Sequence, residues 1–176
     1  NVFSKMKENQ KDITVGVTDE NNRLQYQWKF NSDTITQPDM DIDLTISFDT
    51  DRENEVKEIT GRDDLMYLSF SHHGALPGPA TIKTYVGNKY KDGDIVYLYY
   101  FNEEQNRVES VGGVNKGLVV KDGYVEYTIT HCSLYFLSQD TAEIIKAVDP
   151  DTADNNGQVA DVADTANDSA ATGDTT

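Results

Sequence analysis

Two histidines stand side by side at His72 and His73, and a third, His131, precedes the only cysteine, Cys132. A Cys–His pair is the smallest set that makes a covalent nucleophile. Neighbouring residues of an extended chain point to opposite faces, so His131 cannot take the Cys132 proton directly. His73 would serve only if the fold brings it close, and a buried, inert thiol is the commoner state of a lone cysteine. Zinc needs three or four ligands, and adjacent histidines diverge in the same way. We therefore expect no catalytic residues, no zinc site and no cofactor. Five acids, Asp39, Asp41, Asp43, Asp49 and Asp51, are candidates for a nonstandard calcium site, with a solvated strand face as the competing reading. The run from Asp49 starts like an EF-hand loop, but Asn54 stands where the glycine belongs and Thr60 where the bidentate acid belongs. A second partial match, through Asp154, Asn156 and Gly157, has Thr152 at its first position and Ala163 at its last, and also fails. Among the aromatics, Trp28 alternates with Leu24, Tyr26 and Phe30 and is read as core. Tyr97, Tyr99, Tyr124 and Tyr127 would bind glycan only if some of them share an exposed face.

The elements that must position these residues are mostly strands. Val2, Phe3 and Met6 have helical spacing and predict one short N-terminal helix. Strict alternation follows in Ile13-Val15-Val17 and Leu24-Tyr26-Trp28-Phe30, joined by a polar turn, which predicts a hairpin. Ile42-Leu44-Ile46-Phe48 alternates as cleanly and predicts a strand, while Val56 and Ile59 fit one helical turn. Met66-Leu68-Phe70 predicts a strand, and His72 to Pro79, with two prolines and two glycines, predicts a loop. Ile82–Val86 and Ile95–Phe101 predict further strands, the second nearly all apolar and so central in a sheet. Asp122-Gly123 predicts a tight hairpin between Leu118–Val120 and Tyr124–Thr130, and Leu134–Leu137 closes the body. Nine or ten short strands with turns at this spacing predict an all-β fold, an antiparallel immunoglobulin-like β-sandwich over residues 1–140. Its expected core includes Trp28, Phe30, Leu44, Ile46, Leu68, Phe70, Leu98 and Ile129.

Charge narrows the partners. The chain of 176 residues carries a formal net charge of −16. Seven of its 31 acids lie from Asp149 onward, which leaves 24 against 15 bases in the rest. A body near −9 with no basic stripe repels phosphate, so nucleic acid and direct membrane contact are not expected. One cysteine excludes an internal disulfide without fixing the compartment. The sequence shows no signal peptide or membrane span, and its first residue, Asn1, reads as part of a longer chain. Residues 141–176 are expected to form an acidic disordered linker, since Asp, Ala, Thr and Asn cannot bury enough apolar surface to offset ordering entropy.

The stretches FSHHGALPGPATIKTYVGNKYKDGDIVYLYYFNEEQNRVE and GLVVKDGYVEYTITHCSLYFLS, together with Tyr26-Gln27-Trp28-Lys29-Phe30, resemble a β-sandwich module of multi-domain surface proteins in Gram-positive gut bacteria. The resemblance covers most of residues 1–139 and carries no catalytic motif. It implies an extracellular, cell-surface location near a C-terminal cell-wall or membrane anchor. Ala171-Thr172-Gly173-Asp174 resembles the threonine–glycine core of a sortase signal, with Ser169-Ala170 in place of Leu-Pro. The function expected from the resemblance is a structural spacer, with a carbohydrate- or host-protein-binding adhesion module as the alternative. The expected partners are other domains of the same protein, and then glycan or host protein.

Overall fold

A computed structural model describes residues 1–153. The chain opens with α1 (Val2–Asn9), where the Asn1 side chain accepts a hydrogen bond from the Phe3 amide at 2.8 Å and caps the first turn. Phe3 and Met6, one turn apart, are buried against the sheet. β1 (Ile13–Thr18) and β2 (Leu24–Phe30) then form an antiparallel hairpin in which Val15 faces Trp28. Its turn is fixed by Asp19, whose carboxylate accepts from the Asn21 and Arg23 amides.

After a short 3-10 turn (Ser32–Thr34) come β3 (Ile46–Ser47), α2 (Glu53–Thr60), β4 (Met66–Tyr85), β5 (Ile95–Asn102), β6 (Arg107–Ser110), β7 (Leu118–Val119) and β8 (Tyr124–Ser138). Two short helices follow, α3 (Ala142–Ile145) and α4 (Pro150–Ala153). All strand pairings are antiparallel, and the fold is mostly β-sheet with a few short helices. Strand order is β1-β2-β4-β8-β5-β6, with β3 on β4 and β7 on β5.

The two long strands organise everything else. β4 has 20 residues and β8 has 15. They pair at one end through Met66–Ser69 with Leu134–Leu137, and at the other through Ala80–Tyr85 with Tyr124–Ile129. Between these ends the register shifts twice. β2 joins β4 only at Ala80–Thr84, whereas β3 and β5 join the opposite end of the pair. The sheet therefore has two halves, and it folds over so that they face each other. Trp28 of one half meets Phe70 of the other edge-on at 5.5 Å, and Phe70 meets Tyr135 at the same distance.

Several elements differ from the sequence reading. His72–Pro79, predicted as loop, lies inside β4. The prolines fall between the ladder pairs Ala75–His131 and Ala80–Ile129, where no partner needs their missing N–H. The Pro77 carbonyl instead accepts from the Thr36 and Gln37 amides at 2.8 and 3.0 Å. Gly78 is required here, since a Cβ would lie 2.5 Å from the Thr34 carbonyl oxygen. The strand predicted over 42–48 shrinks to Ile46–Ser47 because side chains of β2 take the place of a ladder. Trp28 Nε1 donates to the Leu44 carbonyl at 3.0 Å, and the Ile46 amide donates to Tyr26 Oη at 3.2 Å. Leu44, expected in the core, is only half-buried and packs on its margin. The other seven expected core residues are buried. The Asp122-Gly123 turn forms, with both residues at positive φ, but β7 before it pairs with Ile95 and Val96 of β5 and only Lys121 bridges to Tyr124.

A second apolar cluster covers the outer face of the β4–β8–β5–β6 half. Val56 of α2 and Ala142 and Ile145 of α3 pack there on Tyr67, Tyr99, Phe101, Val108 and Phe136. Ile145 is fully buried, and Val148 pairs in parallel with Glu109 at the edge of β6. Packing against the body therefore continues past residue 140 to Val148. Acidity and low aromaticity hid two apolar anchors that a neighbouring face was waiting to cover. The acidic segment beyond Ala153 and its threonine–glycine motif lie outside the described residues.

Candidate ligand groove

β8 places His131, Ser133 and Tyr135 at alternate positions; His131 and Ser133 are half-buried, and Tyr135 is as buried as Cys132, at 1% exposure. Register then builds a row across three strands: Tyr135 of β8 faces Tyr100 of β5, which faces Glu109 of β6. The rings of Tyr100 and Tyr135 lie 5.3 Å apart, and His131 sits edge-on to Tyr100 at 4.7 Å. Tyr100, Glu109 and His131 line a cavity of about 510 Å³ with Asn102, Arg107 and the loop end at Glu103–Gln105. A second cavity of about 250 Å³ shares Tyr100, Glu109, His131 and Pro150 with it, so the two make one groove.

The polar atoms are set in place by local hydrogen bonds. Glu109 is 8% exposed, and its Oε1 accepts from Asn102 Nδ2 at 2.9 Å and from Arg107 Nε at 2.8 Å. The second guanidinium contact, at 2.7 Å, also falls on Oε1. Oε2 takes no hydrogen bond from the described residues, although it belongs to a nearly buried carboxylate. Asn102 is held in turn by the turn that it starts, its Oδ1 accepting from the Gln105 amide.

The His131 tautomer follows from Tyr135. The Tyr135 hydroxyl donates its one proton to the His131 carbonyl at 2.8 Å and lies 3.2 Å from His131 Nδ1. Nδ1 must then carry the hydrogen and donate to the hydroxyl oxygen, which leaves Nε2 as a bare acceptor. Burial holds the imidazole below its ordinary pKa, against the opposing pull of Glu109, so the neutral ring prevails at pH 7.

Cys132 lines the same groove as His73 and His131, and the remaining candidates read from sequence lie apart from it. The Cys132 thiol is pushed up to about 12 by burial, which removes the thiolate a nucleophile needs. His72 Nε2 is bonded to the Ala75 carbonyl at 2.9 Å, while His73 lines the groove. Asp39 accepts from Ser4 Oγ and Asp41 from Asn1 Nδ2, so both tie the N-terminal helix to the following loop. Asp43 accepts from the Thr45 amide, and hydrogen bonds from Thr45 hold its carboxyl below the usual range. Asp49 is exposed, with its amide on Ser47 Oγ, and Asp51 lies in the turn before α2. Among the described residues no three His, Cys, Asp or Glu side chains gather to hold a metal ion. Of the four tyrosines considered for glycan, Tyr99 and Tyr127 are buried, with hydroxyls on the Asp140 carbonyl and Thr84 Oγ1. Tyr124 is half-buried and bonded to the Leu24 carbonyl, and Tyr97 is half-buried beside the second cluster.

The residues that do line a groove, Tyr100, Asn102, Arg107 and Glu109, were not singled out. The hairpin turn over 102–107 would have paired Tyr100 with Glu109, but nothing local places β8 beside them. Comparison with family models, curated proteins and solved structures finds no match to this chain.

Proposed function

We propose that the chain is a non-catalytic structural module of a multi-domain bacterial surface protein, a variant of the immunoglobulin-like sandwich that spaces and displays its neighbouring domains outside the cell. The observation that carries this reading is the β4–β8 pair. Its two strands pair in both halves of the sheet, on either side of two register shifts, so neither half can shear away without breaking one of these ladders. A core of stacked and edge-on aromatics locks the halves together. The segment from Asp149 onward carries seven acids and no base, a composition that suits a spacer between this body and an envelope anchor. The net charge argues against nucleic acid as a partner.

The test is a domain swap in the full-length protein on cells. Replacement of residues 1–153 by an unrelated β-sandwich of similar length should preserve surface display and adhesion. Display that persists while adhesion disappears would make the module a binding domain instead. That second reading, an adhesion module for glycan or host protein, is favoured by one observation, the groove between β5, β6 and β8.

A further inference from the structure

We propose that the Tyr100–Glu109–His131 groove is a binding site for a neutral saccharide. This inference goes beyond the spacer reading and does not depend on it, since a module that spaces its neighbours can also hold a small ligand. The groove has the size of a small-ligand site, at about 510 Å³ with a 250 Å³ extension. Its polar atoms are preorganised and mostly acceptors: Glu109 Oε2 and His131 Nε2 have no protein donor among the described residues. Both belong to side chains whose other polar atom is already bonded, so neither can turn away to find a partner elsewhere. Glu109 Oε1 takes the protein's donors and Oε2 is left open to the groove, where a ligand hydroxyl can donate to it.

Charge selects the ligand further. The Glu109 carboxylate is compensated by Arg107, and Glu103 at the rim is paired with Arg52 at 3.0 Å. With the floor carboxylate paired, a small ion gains little there, and the remaining acid of the lining, Glu104, is exposed at the rim and screened by solvent. Acceptors that await O–H donors, beside the half-buried ring of Tyr100, suit a molecule with hydroxyls on its edge and C–H groups on its face. A sugar ring has that chemistry. Asn102 and Arg107 stiffen the acid rather than contact the ligand, and so act as positioning residues.

The experiment is an amide-resolved NMR titration of the whole chain with a panel of neutral mono- and oligosaccharides to ~10 mM, the range of a shallow site. Methylammonium and lysine amide are run in parallel. At least one saccharide should shift the amides of Tyr100, Asn102, Glu109 and His131, and the ammonium compounds should not. Glu109→Gln and His131→Phe should each weaken that binding by about tenfold or more, with thermal melting checked for both. His131→Phe keeps an aromatic ring at this position and removes both nitrogens, so it tests the site even if Glu109→Gln fails to fold. Silence from every saccharide, shifts confined to other surfaces, or variants that bind like the parent would overturn the proposal. A response to the ammonium compounds alone would also overturn it while leaving the groove as a binding site. The domain swap tests the spacer reading and the titration tests the groove, so the two failures are distinct.

Discussion

Trp28 is fully buried, stacks 5.8 Å from Phe30 and meets Phe70 edge-on, and its indole N–H is spent on the Leu44 carbonyl. Trp28→Ala should destabilise the fold by roughly 3–5 kcal/mol, measured by denaturant unfolding, through lost transfer energy and the cavity left behind. A change below about 1 kcal/mol would mean that the site collapses freely and that the two halves do not depend on it. Cys132 makes a kinetic prediction. With its thiol pushed up to about 12, the native protein should resist thiol reagents at pH 8 and become reactive only on unfolding. Fast stoichiometric labelling of the native chain would contradict this. His131 gives a pH dependence whose sign is fixed by burial. Its native pKa lies below the ordinary value of about 6.5, so the unfolded chain binds more protons in the interval between the two. Its contribution to stability is complete above about pH 6.5 and is lost as pH falls through that interval. His131→Phe should flatten this part of the melting-temperature profile, and an unchanged profile would assign the slope to other groups.

At the scale of elements, the bend of β4 is the least replaceable feature. It carries two prolines where the ladder is interrupted, and it brings Gly78 against the 3-10 turn at Ser32–Thr34. Gly78→Ala should cost about 1–3 kcal/mol, because the obstacle is a backbone carbonyl that cannot rotate aside. Unfolding midpoints equal to the parent would show that the turn shifts freely. The same scale explains α3. This four-residue helix has no stability of its own, and exists because Ala142 and Ile145 fill the face of Tyr99, Phe101 and Val108. Ile145→Ala should therefore destabilise the whole body by about 2–5 kcal/mol rather than fray one end. Loss of only the local amide protection at 141–148, with global stability intact, would support the boundary at residue 140.

For the whole molecule, one sheet serves as two layers. β4 and β8 belong to both halves, so unfolding should be a single cooperative transition, with tryptophan fluorescence and far-ultraviolet dichroism coinciding. Trp28 reports on the first half, and the dichroism reports on all strands. Two separated midpoints would show that the halves melt independently, and a load-bearing spacer would then lose its physical basis. The groove lies at the end of this arrangement where β5, β6 and β8 meet, so its geometry depends on the long-range register of β8 rather than on any one loop.

Alternation of apolar and polar residues was enough to identify the β1–β2 hairpin, the burial of Trp28 and Phe30, and the strand character of β5, because side-chain period is a local property of extended backbone. The capped first helix is local in the same sense. Pairing is not local. Residues 42–48 alternate well, yet the Leu44 carbonyl and the Ile46 amide are taken by the side chains of Trp28 and Tyr26, and only Ile46–Ser47 pair with a strand. His72–Pro79 has the composition of a loop, but the two flanking ladders to β8 carry the chain through it as one bent strand. Ile145 and Val148 stand in a stretch whose composition resembles a linker, and only the exposed apolar face above β5 and the open edge of β6 decide that they fold. Tyr100, Glu109 and His131 are separated by as many as 31 positions and share no motif. Their meeting is fixed by the register of three strands, which depends on packing free energy summed over the whole sheet.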